Sequence, residues 1–325
     1  MEYVRLGRTG LKVSRLILGC MTYGDPKWSP WVLDEAASRP FIRQALDLGV
    51  NTFDTADMYS TGLGEEILGR ALREWTTRQH MVIATKLYNP MGQEPNNRGL
   101  SRKHIFEAVD ASLKRLQTDY IDLYQIHRFD YETPLEETLE ALNDVVRSGR
   151  VRYLGASSMF AWQFMKALGL QRKHGWAPFV AMQNQYSLLY REEEREMLPM
   201  CQEEGIGVIP WSPLARGYLA GNRGAATPAT SRAGTDKLGA ALFNTEADRA
   251  IIKAVDAVAR KLGRSMAQVA YAWVATRPGV TAPIYGISKL AQFDDVMASL
   301  ALRLDPEDVA TMEAAYVPRP IAGHV

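Results

Sequence analysis

Along most of the chain, short apolar runs alternate with longer segments of helical period, and this alternation predicts the architecture. Residues 3–6 and 11–13 flank Gly-Arg-Thr-Gly, the pattern of a small hairpin ahead of the main fold. An apolar strand at 16–19 follows. The order then repeats: helix 40–48, strand 50–54, helix 64–75, strand 81–86, helix 101–116, strand 120–127, helix 134–147. Ser101 opens its helix, with Ile105, Val109, Leu113 and Leu116 along one face, while Thr133 and Pro134 supply a cap and a first position. The second half reads strand 153–156, helix 161–173, strand 181–184, helix 193–204 and strand 207–211. Residues 217–244 form a long Gly/Ala/Thr-rich stretch with no period. Two helical stretches, 245–262 and 265–276, precede a last strand at 280–284, a helix at 290–300 and a terminal helix at 306–316.

Strictly alternating βα units with apolar strands imply a parallel sheet covered by helices, and eight of them favour closure as a (β/α)8 barrel. The expected fold is therefore α/β, one barrel domain over 1–325, with an N-terminal β-hairpin, two extra helices and a long loop after strand 7. A doubly wound sheet is the rival, but its Gly-x-Gly-x-x-Gly fingerprint after the first strand is missing, as is a P-loop.

Composition narrows the function classes. A hydrophobic content of 46% and charge of 23% suit a soluble globular protein with a substantial core, and a net charge of +1 offers neither nucleic acid nor an anionic membrane a basic surface. No apolar run reaches membrane-spanning length, and the start Met-Glu-Tyr-Val-Arg lacks a signal-peptide core, which points to the cytoplasm. The expected partner is a small molecule; a homo-oligomer is left open. Cys20 and Cys201 are expected to be free thiols. His80, His104 and His324 read as surface residues, and the charged run 191–195 as a solvated helix start.

Three strands finish on single polar residues: Asp54, Lys86 and His127, with Tyr59 just past the first. In a barrel these positions share the C-terminal rim, where active sites of this fold lie. A buried carboxylate needs a cation, and Lys86 is the one in an equivalent setting. The four make sense as one unit. An ammonium held by a carboxylate lowers the pKa of a neighbouring phenol, so Tyr59 would act as acid while His127 orients and polarises a carbonyl. That assembly suits hydride addition to C=O with protonation of oxygen, or the reverse oxidation. Lys86 could instead be a Schiff-base nucleophile of an aldolase, although Asp54 beside it would hold it protonated. Taken singly, each residue also has an ordinary reading: Asp54 or Lys86 solvated, His127 and Trp211 core, Ser157 and Ser158 helix caps. Trp28, Tyr88, Arg128 and Phe129 lie near strand ends where they could shape a substrate pocket, and Arg128 could meet an anionic or phosphorylated substrate.

The motifs resemble those of the aldo-keto reductases. They are Phe-Asp-Thr-Ala-Asp-Met-Tyr at 53–59, Gly-Glu-Glu-Ile-Leu-Gly at 64–69, Ala-Thr-Lys at 84–86 and Gln-Ile-His at 125–127. Gly-Ala-Ser-Ser at 155–158, Gln-Asn at 183–184 and Pro-Trp-Ser-Pro-Leu at 210–214 extend the likeness, which runs from 16–19 to the tail at 316–324. The most similar branch is the bacterial one grouped with aryl-alcohol dehydrogenases and potassium-channel β-subunit-like proteins. The resemblance implies an NADP(H)-dependent reductase of aldehydes and ketones, with Tyr59 as general acid; a cofactor-binding regulatory subunit of slow turnover is the alternative. It also implies that Gly19 and Met21 border the cofactor and that Ser157, Ser158 and Gln183 bind the nicotinamide carboxamide. Trp211 would stack on the ring, Ser212, Leu214 and Gly217 would line the pyrophosphate path, and Gly286, Ser288 and Lys289 would hold the adenosine 2′-phosphate. Asp295 would accept from the adenine amine. Gln292 stands where an arginine is common and Val296 where an asparagine often contacts adenine, so NADPH is favoured over NADH without being exclusive.

Overall fold

The structure, a computed structural model, describes residues 1–221 and 236–324. Strands β1 (Tyr3–Arg5) and β2 (Lys12–Ser14) pair antiparallel as the hairpin. The main sheet holds β3 (Ile17–Gly19), β4 (Thr52–Asp54), β5 (Val82–Leu87), β6 (Ile121–Ile126), β7 (Val151–Ser157), β8 (Phe179–Gln183), β9 (Gly207–Val208) and β10 (Ile284–Gly286). These eight strands run parallel in the order β10-β3-β4-β5-β6-β7-β8-β9. Backbone bonds from Thr281 to Val208 (2.8 Å) and from Ile284 to Pro210 (2.9 Å) join the two edges, so the sheet closes as the expected (β/α)8 barrel. The long connections include helices α1 (Glu35–Asp47), α2 (Leu63–Trp75), α3 (Arg102–Leu116), α4 (Leu135–Arg147), α5 (Ala161–His174) and α6 (Met197–Glu204). Further along come α7 (Lys237–Leu242), α8 (Glu246–Leu262), α9 (Met266–Ala275), α10 (Gln292–Ala301) and α11 (Pro306–Glu313). Among the described residues no helix is long and apolar enough to cross a membrane.

The strands are buried on both faces, which is why they read as apolar runs rather than as alternation. Outward side chains such as Phe53, Ile83 and Tyr124 belong to the large cluster that the helices cover. Inward ones form a second cluster of Ile17, Val82, Ala84, Leu123, Ala181, Ile209, Ala282 and Ile284, joined by Leu6 and Val13 of the hairpin. The hairpin therefore plugs the N-terminal end of the barrel. The C-terminal end stays open for polar residues.

Several boundaries differ from the pattern. Helix α1 begins five residues before Pro40, because Asp34 caps it by accepting from the Ala37 amide (2.9 Å). Pro40 then sits inside the helix, and the Ala36 carbonyl forgoes its partner. Pro134 takes the N-cap position of α4 with no side-chain cap, while the Thr133 hydroxyl donates to Asp130 (2.8 Å). The last strand is β10, which shares only Ile284 with the expected 280–284; the residues before it join the barrel through a bridge from Val280 to Val208 and the Thr281 bond. The run 191–195 is not a solvated helix start: Glu192 and Glu193 are buried, and Glu192 accepts from Tyr316 Oη (2.7 Å) and Arg319 N (2.9 Å), tying down the C-terminal tail. His104 and His324 are likewise buried rather than exposed. The unperiodic 217–244 stretch contains α7, and its residues 222–235 lie outside the described residues.

Helices α2 and α3 cross at Gly69, where an added Cβ would lie 2.5 Å from the Leu116 carbonyl oxygen and 2.6 Å from its carbon. Backbone cannot swing away as a side chain can. Gly69→Ala should therefore destabilise by about 1–3 kcal/mol, although alanine is intrinsically the better helix former by about 1 kcal/mol. Urea unfolding measures this; an equal or higher midpoint would contradict the close crossing.

Candidate active site

Parallel register brings the chemistry together. Asp54 ends β4, Lys86 is the penultimate residue of β5, His127 follows β6, Ser157 ends β7 and Gln183 ends β8. Lys86 is fully buried, and its ammonium donates to Asp54 Oδ2 (2.7 Å), to the Thr55 carbonyl (2.7 Å) and, at the long limit, to Tyr59 Oη (3.5 Å). All three N–H groups are thus used. Burial alone would discharge the lysine, but the Asp54 charge and then the Tyr59 oxygen outweigh it, and its pKa is raised. Asp54 Oδ1 accepts from Gln183 Nε2 (2.8 Å) and Gln125 Nε2 (3.2 Å), so the carboxylate is satisfied on both oxygens.

Tyr59 is followed by a left-handed turn at Ser60 (φ 49°) and Thr61 (φ 51°), a conformation that costs on the order of 1 kcal/mol or more per residue and clusters at functional sites. Its phenol does not follow the expected lowering. Burial is the largest influence and carries the pKa above the ordinary tyrosine value, with Lys86 pulling against it. The hydroxyl therefore stays protonated through neutral pH. The His127 ring meets Tyr59 edge-on, centroids 6.0 Å apart. Its pKa lies well below the usual histidine value, first through burial and then through the Lys86 and Arg128 charges, so it is neutral. Asn89 Nδ2 contacts its Nδ1 at 3.1 Å. An amide nitrogen only donates, so Nδ1 accepts and Nε2 carries the proton.

From these residues a cleft of about 730 Å³ runs across the rim, a size suited to a small molecule or cofactor. Gly19, Met21, Trp28, Arg128, Ser157, Gln183, Trp211, Ser212, Leu214, Gly217, Gly286, Ser288, Lys289 and Gln292 all line it, together with Asp54, Tyr59 and His127. Tyr88, Phe129, Ser158 and Asp295 are not among the lining residues. Tyr88 and Phe129 pack against the core cluster, and Phe129 meets Tyr131 edge-on at 5.0 Å. Ser158 stands behind Trp211, accepting from its indole N–H (3.2 Å), and its own backbone N–H donates to Asn184 (2.9 Å). Asp295 accepts from Ser265 and Gln268, both at 2.9 Å, and Val296 is fully buried.

The donor set fits a nicotinamide dinucleotide. With Nε2 of Gln183 spent on Asp54, its Oε1 is left to accept an amide N–H. Trp211 presents a flat face. Lys289 is a cation at the far end, on a loop whose Ser288 and Lys289 amides donate to Gln292 Oε1 (2.8 and 3.0 Å). Gln292 thus shapes the loop.

Sequence reasoning missed the supporting residues. Asn89, which fixes the His127 tautomer, sits on a loop with no signal. Gln125 could have been found, since it lies two residues before His127 and so on the same strand face. Glu65, buried behind the site, accepts from Thr85 Oγ1 (2.5 Å) and Arg115 Nε (2.7 Å). Asp57 shares that region: it is fully buried, neither carboxyl oxygen has a hydrogen-bond partner among the described residues, and burial followed by the Glu65 charge pushes its pKa up to about 8.

Because the folded value lies above the ordinary 3.8, the fold favours the protonated Asp57, a contribution fully present below about pH 4 and lost as pH rises towards 8. Asp57→Asn cannot ionise. Its stability relative to wild type should climb between pH 5 and 8, by up to about 1.4 kcal/mol per pH unit, in a denaturation series. A constant difference across that range would show Asp57 to be ionised in the fold.

Comparison with known proteins agrees with this geometry. The chain is 48% identical to versiconal hemiacetal acetate reductase of Aspergillus parasiticus, over 99% of this chain and 98% of that protein. A putative aryl-alcohol dehydrogenase of Schizosaccharomyces pombe is 44% identical over 99% of this chain and 98% of its own length. One from Saccharomyces cerevisiae is 41% identical over 98% of each. The model of the Aldo/keto reductase family matches residues 15–317. A closed parallel barrel with Asp54, Tyr59, Lys86 and His127 converging at its C-terminal rim, and relatives of this kind along its whole length, place the chain in the aldo/keto reductase family.

Proposed function

We propose that this protein is an NADP(H)-linked reductase of aldehydes and ketones, running as an alcohol oxidation in reverse, with Tyr59 as the proton donor. The observation that carries this reading is the buried Tyr59 hydroxyl, lining the cleft 3.5 Å from an ammonium that is itself held by Asp54. Ser157, Gln183, Trp211, Ser212, Leu214 and Gly217 would hold the nicotinamide and pyrophosphate portions, with Ser288 and Lys289 at the 2′-phosphate. The bound nicotinamide supplies the hydride. The residues of this chain do the rest: His127 Nε2–H and Tyr59 Oη–H converge on the carbonyl oxygen, and the Tyr59 proton passes to it. The Lys86 ammonium then stabilises the phenolate left behind. The same fully bonded, charged and buried state disfavours Lys86 as a Schiff-base nucleophile, which must be neutral to attack.

Tyr59→Phe keeps the ring and removes only the proton. It should lower kcat for reduction of an aromatic aldehyde by about 10²–10⁴-fold, the ordinary range for a general acid, while NADPH affinity changes little. Stopped-flow or steady-state absorbance and a fluorescence titration with NADPH separate the two quantities. Undiminished turnover by the phenylalanine variant would end the Tyr59 assignment.

A further inference from the structure

Among the described residues, two cations that line the cleft, Arg128 and Lys289, have no carboxylate within ion-pair distance. Lys86 is spent on Asp54, Arg216 is paired with Asp236, and Lys289 stands at the far end. Arg128 lines the cleft at the reacting end and has no carboxylate within ion-pair distance among the described residues. Its Nη1 donates to the His127 carbonyl (2.6 Å), which anchors the guanidinium; among the described residues its other N–H groups have no hydrogen-bond partner. The two acids that follow it along the chain are engaged elsewhere. Asp130 accepts from the Leu100 amide (2.7 Å), the Thr133 hydroxyl (2.8 Å) and the Glu132 amide (2.9 Å), and Glu132 lies 3.9 Å from Arg98. Arg128 is half-buried, and desolvation lowers even its pKa. Arg128 directly follows His127, is bonded to its carbonyl, and lines the same cleft as Tyr59 and His127. A half-buried guanidinium without a counter-ion is costly, and among the described residues the His127 carbonyl bonds to it but no carboxylate offsets its charge. The same cleft is also lined by the apolar side chains of Trp28, Trp31 and Met58, with the two indoles in edge contact at 5.9 Å.

We propose that Arg128 determines substrate choice: it receives the planar carboxylate of a flat, largely apolar carbonyl compound whose carbonyl oxygen lies against Tyr59 and His127. The fork of the guanidinium matches a carboxylate in two parallel hydrogen bonds, and the aromatic wall matches the body of the substrate. The inference rests on the carbonyl-reductase reading above and names its substrate class.

The test compares 4-carboxybenzaldehyde with methyl 4-formylbenzoate, its neutral ester, in wild type, Arg128→Met and Arg128→Lys. Wild type should favour the acid by at least about tenfold in KM, the methionine variant should bring the ratio towards one, and lysine should restore part of it. A ratio near one in wild type, or one that survives in Arg128→Met, overturns the proposal. Calorimetric titration of wild type with benzoate and benzamide reads the same contact without turnover and without a variant. Benzoate should bind at least about tenfold more tightly, and equal affinities overturn the assignment. If neither aldehyde consumes NADPH, the reductase reading fails, while the titration still decides Arg128.

Discussion

One charge pair organises the interior of this barrel. Burying an ammonium with no water around it is strongly unfavourable, and Lys86 is fully buried. What makes it tolerable is that Asp54 and the Thr55 carbonyl both lie 2.7 Å away, while Gln125 and Gln183 hold the other carboxylate oxygen. Strands β4, β5, β6 and β8 each contribute to that arrangement. Loss of one partner would leave the other charged and buried, a penalty of about 3–5 kcal/mol, so the strand register and the pair depend on each other. The pair orders the open end of the barrel, as the hairpin with Leu6 and Val13 orders the closed one.

The chemistry follows from how each neighbour answers this charge. His127 cannot add a third positive charge beside Lys86 and Arg128 in a buried site, so it remains a neutral donor. Tyr59 answers differently. The ammonium favours phenolate, yet burial favours phenol more strongly, and the site rests with the acid in place. The rim holds other strained backbone besides the turn after Tyr59: Ser158, Ser212 and Arg216 also adopt left-handed φ. These are the residues that turn the chain away from strand ends and into the cleft, and a packed barrel underneath is what holds them there. Behind Trp211, a chain of contacts from Ser158 through Asn184 and Glu193 reaches His324 of the C-terminal tail, so the cleft wall is braced from the far end of the sequence.

Much of this was legible beforehand because barrels impose a strong rule on sequence. An apolar run that ends on one polar residue marks both a strand and its direction, so the runs ending at Asp54, Lys86 and His127 placed three side chains on one rim. Tyr59 followed from its position just past Asp54. The helix starts were less secure. Asp34, rather than Pro40, opens α1, because capping of free amides matters more than where a proline happens to fit.

By itself the sequence determined the βα repeat, the polar residues at the strand ends and the pairing of one carboxylate with one lysine, since each of these is a local pattern or a requirement for charge balance. Only the tertiary structure decided the balance of opposing effects and the contacts between distant loops. The direction of the Tyr59 shift depends on how deeply the phenol is buried, and the His127 tautomer depends on Asn89 coming from another loop. The same holds for Arg128, whose lack of a counter-ion reflects where Asp130 and Glu132 turn after it. Burial and long-range contact have no signature in a single stretch of chain, because they are properties of everything packed around it.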